Sequence, residues 1–297
     1  MESDRSGFYQ SFQRVNSFCI SVLIINHFII VSTIPVILTI AGSDCSGGAG
    51  IQADIKTISS LKGYAASVIT AVTAQNTVGV QAVYSIPSDI VRAQITSVME
   101  DLQPAAVKIG MVHNDAIVHA IAECLQRFQP RFVVYDPVMV STSGRKLMTE
   151  DTIRIIQEEL FPLCSLITPN LSEASLLLSH PVADIEDMKQ AACELANRYH
   201  CAVLVKGGHL SGSEMCDVLY SNGGFSLFEQ QKIESCNLHG TGCTLSSAIA
   251  AFVACGKELE EAVRQAKAYI NKAILYGKDL HIGHGNGPLC HFFPEEK

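Results

Sequence analysis

Two glycine-rich segments carry the strongest chemical signal in this chain. The first is Ala41-Gly42-Ser43-Asp44-Cys45-Ser46-Gly47-Gly48-Ala49-Gly50, set between an apolar run and an amphipathic one. Glycines at such a junction let the backbone approach a ligand and let N–H groups converge on it. No Gly-Lys-Ser/Thr follows, so the segment is not a Walker A loop, nor does its spacing match a dinucleotide fingerprint. A tight turn that packs a helix accounts for the glycines equally well. The second segment, His239-Gly240-Thr241-Gly242-Cys243-Thr244-Leu245-Ser246, opens a long apolar stretch. Two glycines, flanking hydroxyls and a helix N-terminus make an anion cradle from N–H groups and the helix dipole. A plain cap needs only one Ser or Thr, so the anion site is the better reading here.

Two further groups follow short β-branched runs. Asp136, in Tyr-Asp-Pro-Val-Met, joins Asn170 and Glu173, in Thr168-Pro169-Asn170-Leu171-Ser172-Glu173, as hard oxygen donors suited to Mg²⁺. Glu173 also lies three residues after Asn170, the spacing of a capping box, and taken alone that reading is favoured. Lys206-Gly207-Gly208-His209 sets a cation and two glycines after a strand, which suits phosphate contact. A lone Lys at a strand end is otherwise a solvated charge.

These segments need a frame that brings them to one edge. The pattern predicts strands over 36–40, 65–73, 107–109, 132–135, 166–168 and 202–205. It predicts helices over 50–62, 88–102, 115–128, 149–160 and 186–199, with Pro87-Ser88 as a start signal. Asn222-Gly223-Gly224 between 217–221 and 225–228 signals a hairpin. Helices over 241–254 and 259–276 finish the chain. Repeated strand–helix units imply an α/β fold: a mainly parallel sheet with helices on both faces. Ligands then sit beyond the carboxyl ends of the strands, where the chemical segments lie.

Composition sets the outer limits. The chain has 297 residues, 48% hydrophobic and 17% charged, enough for one well-packed domain and unlike a disordered chain. A net charge of −8 argues against nucleic-acid binding, which needs a basic face. The eleven cysteines are scattered without a CxxC pair or zinc-finger spacing, and read as small apolar residues in a reducing cytosol. Residues 18–40 are almost continuously apolar, but Asn26-His27 and Pro35 interrupt them and no cleavage site precedes Ala41. The expected organisation is a poorly structured extension over 1–33, dispensable for catalysis, and one domain over 34–297. No stable membrane association is expected.

Six segments then identify a family. AGSDCSGGAGIQAD (41–54), TAVTAQNTVGVQ (70–81), KIGM (108–111), LITPNLSEA (166–174), VKGGH (205–209) and HGTGCTLSSAIAA (239–251) resemble bacterial hydroxymethylpyrimidine/phosphomethylpyrimidine kinases of the ribokinase superfamily. The resemblance runs from about Pro35 to about Phe293 and includes 283–288. It implies a ribokinase-like fold, use of ATP with Mg²⁺, and two successive phosphorylations of an aminopyrimidine alcohol in thiamine biosynthesis. Cys243 then stands where the sugar kinases of the superfamily carry an Asp base. With Gly240 and Gly242 it forms the implied catalytic turn. At a helix N-terminus its thiol is expected to ionise below the free value of about 8.5. Gln75 matches the residue that hydrogen-bonds the aminopyrimidine, its amide offering both donor and acceptor. Gly42, Met111 and Asp54 match the substrate site, Lys206 and Thr241 the ATP site, and Asn170, Glu173 and Asp136 the metal site. About ten residues separate the first strand from the first helix, too few for the large lid of the sugar kinases. Pyridoxal kinase is the nearest rival, since pyridoxal is also a hydroxymethyl-bearing nitrogen ring. A non-catalytic nucleotide-binding domain would be expected to lose the cradle or metal residues, and both are present. Oligomeric state is open, a homodimer included.

Overall fold

The computed structural model describes residues 23–25, 28–30, 34–139, 148–208 and 214–294. The chain divides into two compact units, Met1–Ile34 and Pro35–Lys297. In the first, β1 (Leu23–Ile25) pairs with β2 (Phe28–Ile30) as a short antiparallel hairpin. The rest of the expected extension, and His209 of the Lys206 segment, lie outside the described residues.

The second unit is built on a nine-stranded sheet. Its strands are β3 (Val36–Asp44), β4 (Tyr64–Asn76), β5 (Gly79–Ser85), β6 (Ala106–Ile109), β7 (Val133–Tyr135), β8 (Leu166–Ile167), β9 (Ala202–Val205), β10 (Glu214–Ser221) and β11 (Gly224–Gln231). They lie in the order β11-β10-β9-β8-β7-β6-β3-β4-β5. The central pairs from β4 through β9 are parallel, and both edges turn antiparallel. Alternation along each strand feeds two cores. Leu38, Ile40, Val133, Tyr135, Val203 and Val205 face one, and Ile37, Val134 and Leu204 face the other.

The helices are α1 (Gly50–Ser60), α2 (Ser88–Asp101), α3 (Asp115–Phe128), α4 (Glu150–Ile155), α5 (Leu171–Leu178), α6 (Ile185–Tyr199), α7 (Thr241–Ala254) and α8 (Leu259–Gly277). Residues of α3, α5 and α6 fill the first core, and residues of α7 and α8 fill the second. Fully burying an aliphatic side chain is worth roughly 1.5–3 kcal/mol, so this double layer is what holds the sheet edge in place.

Three features depart from the pattern. The strand predicted over 65–73 runs on to Asn76 and turns back as β5, which periodicity does not predict. Asn76 makes that turn, its side-chain oxygen accepting from the Val78 and Gly79 N–H groups at 3.0 and 3.2 Å. Helix α5 was hidden behind its own cap. The helix predicted over 149–160 is α-helical only to Ile155 and continues as a π turn over Ile156–Leu160.

Candidate active site

Strands β3, β6, β7, β8 and β9 run parallel, so the segments that follow them meet at one edge of the sheet. After β6, β7, β8 and β9 those segments begin at Gly110, Asp136, Thr168 and Lys206, and β3 brings the first glycine segment there with its own last residues, Gly42–Asp44.

The first glycine segment closes on its own side chain. Asp44 Oδ1 accepts from the Ser46 backbone N–H at 2.9 Å and from its hydroxyl at 2.7 Å. Asp44 Oδ2 accepts from the Gly48 and Ala49 N–H groups at 3.1 and 2.9 Å, and His239 Nε2 stands 2.9 Å away. The N–H groups that the sequence offered to a ligand are thus answered from within. Burial pushes the Asp44 carboxyl up, but hydrogen bonds from His239 and Ser46 outweigh it and hold it at about 2. Beside this loop, a Cβ on Gly42 would meet the Met111 methyl at 2.5 Å, so these two residues touch. Gln75 is half-buried at the end of β4. Its amide lies 3.1 Å from His239 Nε2 and 3.2 Å from Thr73 Oγ1.

The second glycine segment stays open. Gly240 precedes α7 at φ +88°, where a Cβ would strike the Gly48 carbonyl, so the two segments meet backbone to backbone and only glycine fits. Having no side chain, it cannot cap the first N–H groups of α7. Thr241 locks the turn, its hydroxyl donating to the Leu238 carbonyl at 2.6 Å. A Cβ on Gly242 would lie 2.9 Å from Asp136 Oδ2 and 3.4 Å from Lys206 Nζ. A carboxylate and an ammonium therefore face the open helix end.

Lys206 Nζ donates to Asp136 Oδ1 at 2.5 Å, and the Thr168 hydroxyl donates to the same oxygen at 3.1 Å. Burial works against the charged Lys206, but Asp136 and then Glu173 outweigh it and raise its pKa. Asn170 and Glu173 are also tied to each other. The capping box is present in full: Asn170 Oδ1 accepts from the Glu173 N–H at 2.9 Å, and Glu173 Oε2 accepts from the Asn170 N–H at 2.8 Å. Asn170 is the cap of α5. Glu173 is buried beside Asp136 and Lys206. Burial pushes its carboxyl up, Lys206 pulls it back, Asp136 adds to the rise, and it stands at about 7. Two close carboxylates sharing one ammonium lack positive charge, which a divalent cation would supply. Among the described residues no cage of three or more His, Cys, Asp or Glu converges. The pair Asp136 and Glu173 fits hydrated Mg²⁺, which takes one or two carboxylates with water and phosphate as its other ligands.

Two expectations are corrected. Asp54 is fully buried and saturated by the protein. Its oxygens accept from Lys108 Nζ at 2.9 and 2.8 Å, from Thr39 Oγ1 at 2.5 Å and from Ser247 Oγ at 2.6 Å. It therefore anchors α1, β3, β6 and α7 under the site and has no oxygen free to reach substrate. Cys243 is not a thiolate. Burial pushes its thiol up, Lys108 pulls it down, Asp54 and Asp136 raise it again, and it stands at about 11. Cys243 is only half-buried, yet the burial it has outweighs the pull of the helix N-terminus.

Sequence reasoning missed Lys108, Asp44 and His239 as site residues. Lys108 is wholly buried, and Asp54 more than offsets the burial that disfavours its charge, holding its pKa above the ordinary lysine value. Its signal was a charged residue inside the apolar run Val107–Ile109. His239 and Asp44 stood inside quoted motifs, but they meet across 195 residues of sequence.

The model of the family described as phosphomethylpyrimidine kinase matches residues 44–290. The hydroxymethylpyrimidine/phosphomethylpyrimidine kinase of Rhizobium meliloti is 51% identical over 257 residues, which is 86% of this chain and 96% of that protein. The crystal structure of phosphomethylpyrimidine kinase from Clostridium difficile superposes with a TM-score of 0.73 at 44% identity, covering 81% of this chain and 99% of that one. The pyridoxal kinase of Bacillus subtilis, solved as an ADP complex, superposes with a TM-score of 0.81 at 34% identity, covering 87% and 98%. With the fold, both glycine segments and the matched span in agreement, the chain belongs to the phosphomethylpyrimidine kinase family.

Proposed function

We propose that the protein transfers a phosphoryl group from ATP to the hydroxymethyl oxygen of 4-amino-5-hydroxymethyl-2-methylpyrimidine, and a second to the resulting monophosphate. The observation that carries this reading is the open N-terminus of α7, which stands between a substrate side and a phosphate side. Gln75, Gly42 and Met111 form the first. Lys206, Asp136 and Glu173 form the second.

Phosphoryl transfer asks for positioning and for charge stabilisation more than for bond chemistry. The uncapped N–H groups at Gly242 and Cys243 are aimed at charge that grows on the transferring group. Lys206, already poised at this helix end, adds a cation. Gln75 orients the ring by its edge, and Met111 closes an apolar wall over Gly42. Cys243 carries its proton at neutral pH, so it enters the reaction as a hydrogen-bonding thiol beside the acceptor oxygen. Mg²⁺, held in its water shell by Asp136 and Glu173, would screen the phosphate charge.

Incubation with this pyrimidine alcohol and MgATP, followed by mass analysis, should show the monophosphate and then the diphosphate. No ATP consumption would overturn the reading. Pyridoxal is the second candidate substrate, because the pyridoxal kinase superposes so closely. A higher kcat/KM for pyridoxal than for the pyrimidine would reverse the assignment.

A homodimer and a cytoplasmic setting complete the proposal. Val72 and Tyr84 are cross-strand partners on the edge hairpin β4–β5, exposed by 42% and 69%, and Ala74 and Ala82 pair exposed beside them. Such an apolar edge is one that folded proteins usually cover. Sedimentation should give a dimer, and Tyr84→Lys a monomer. The ten cysteines among the described residues are free thiols, which suits a reducing compartment. No described helix is long and apolar enough to cross a membrane.

A further inference from the structure

The Gln75 amide is held at two poles, and the hydrogen-bond chemistry of those poles fixes which way round it faces. At one pole is His239, only 8% exposed, with Nε2 at 2.9 Å from Asp44 Oδ2 and 3.1 Å from the Gln75 amide. Asp44 accepts five hydrogen bonds, and an ionised carboxylate can only accept. His239 Nε2 must therefore carry the proton and donate. A nitrogen that donates has no lone pair for an amide NH₂, so the Gln75 atom facing it has to be the carbonyl oxygen, which shares the one N–H with Asp44 as its more distant acceptor.

The other pole agrees. Thr73 Oγ1 lies 3.1 Å from the Ser43 carbonyl and 3.2 Å from the Gln75 amide. The hydroxyl has one proton, and the Ser43 carbonyl can only accept it. What Thr73 has left is a lone pair, which calls for the Gln75 NH₂. Both poles thus set the amide with its oxygen toward His239 and its nitrogen toward Thr73. Amide oxygen and nitrogen are assigned from such networks, not from their shape. The remaining N–H of the NH₂ and a carbonyl lone pair are left for a ligand edge that pairs an acceptor with a donor. The ring is held in place: a Cβ on Gly48 would strike it, and the backbone N–H of His239 donates to the Gly287 carbonyl at 3.1 Å.

We propose that His239, aligned by Asp44, is a positioning residue that sets the orientation of the Gln75 amide and so selects an aminopyrimidine over its oxo analogue. The oxo analogue carries a ring N–H and a carbonyl where the substrate has a ring nitrogen and an amino group, and a fixed amide cannot pair with both edges equally. This rests on the function proposed above. The test compares kcat/KM for the aminopyrimidine alcohol with kcat/KM for its oxo analogue, in wild type, His239→Phe and His239→Gln. Phe keeps a flat ring on Gly48 but removes the N–H. The selectivity ratio should fall about tenfold or more, through KM for the pyrimidine, with KM for ATP little changed. Gln restores an N–H donor and should recover most of the ratio. If His239→Phe does not fold, Thr73→Val removes the opposite pole and should lower the ratio in the same way. Wild type inactive on the aminopyrimidine would overturn the function itself. Wild type active, with the ratio unchanged in the folded variants, would overturn the inference alone.

Discussion

The two glycine segments look alike in sequence and do opposite things. In 41–50 the backbone N–H groups of Ser46, Gly48 and Ala49 converge on the carboxylate of Asp44. In 239–244 the helix begins at a glycine with no side-chain cap, facing a lysine and a carboxylate across the Gly242 Cα. One cradle is filled by the protein and the other is left for a ligand. The difference lies in one residue. Asp44 supplies an anion inside the first loop, whereas the second loop has only Thr241, whose hydroxyl is spent on Leu238. Glycine content marks where backbone can approach something; the nearest acidic side chain decides whether that something is the protein itself.

Closing the open cradle should do the most damage. Gly242→Ala would put a methyl group 2.9 Å from Asp136 Oδ2 and 3.4 Å from Lys206 Nζ. Turnover should fall by about 10²–10³-fold, the scale of losing transition-state N–H donors, with thermal stability nearly unchanged. Wild-type turnover in this variant would mean the helix end does not meet the phosphoryl group.

Cys243 stands next in size. Cys243→Ala should cost roughly 10–100-fold in the first phosphorylation and less in the second, whose acceptor is already an ionised phosphate. Its thiol stands at about 11, so alkylation of Cys243 in the ligand-free enzyme should accelerate only as pH rises toward that value. Fast alkylation at pH 8 would restore the thiolate that the helix N-terminus alone suggested.

How much of this could be read beforehand follows the range of each signal. Periodicity made the parallel strands and most helices legible, because a core face repeats within a few residues. Strand β5 was not, since Gly79–Ser85 is an edge element with no buried side chain to mark a core face. The open cradle was legible because Gly240 to Cys243 are contiguous. The roles of Asp54 and Cys243 were not. Asp54 is claimed by Lys108, 54 residues away, and by Ser247, 193 residues away. No local pattern announces such a partner. Burial of Cys243 reverses the dipole argument, which considered only its own helix; Lys108 opposes that rise, and Asp54 and Asp136 add to it.

Glu173→Gln tests the phosphate side of the open cradle more gently. Glutamine can keep the capping box with Asn170, so α5 should stay folded. It removes one of the two carboxylates that would hold the hydrated ion. The Mg²⁺ concentration for half-maximal rate should rise about tenfold, with little change in the rate at saturation. Coincident Mg²⁺ titrations for variant and wild type would reduce Glu173 to a capping residue.

The smallest effect on turnover should come from the filled cradle, where the loss falls on stability. Asp44→Asn keeps the shape of the side chain but replaces an anion with an amide, one end of which cannot accept. Of the Ser46, Gly48, Ala49 and His239 donors, those facing that end lose their partner in a buried site, at about 1–3 kcal/mol. The pH dependence carries the sign. The folded carboxyl stands at about 2, below its ordinary 3.8, so its stabilisation is fully present above 3.8 and is lost as pH falls through 2. Asparagine does not titrate. The gap in unfolding free energy between wild type and variant should therefore be constant from pH 7 to about 4 and narrow below that as the wild-type carboxyl takes up its proton. Urea unfolding at stepped pH measures it. A gap that stays the same down to pH 2 would show that Asp44 holds the loop by shape and not by charge. The filled cradle would then be no anion site at all, and the contrast between the two glycine segments would have to rest on something other than Asp44.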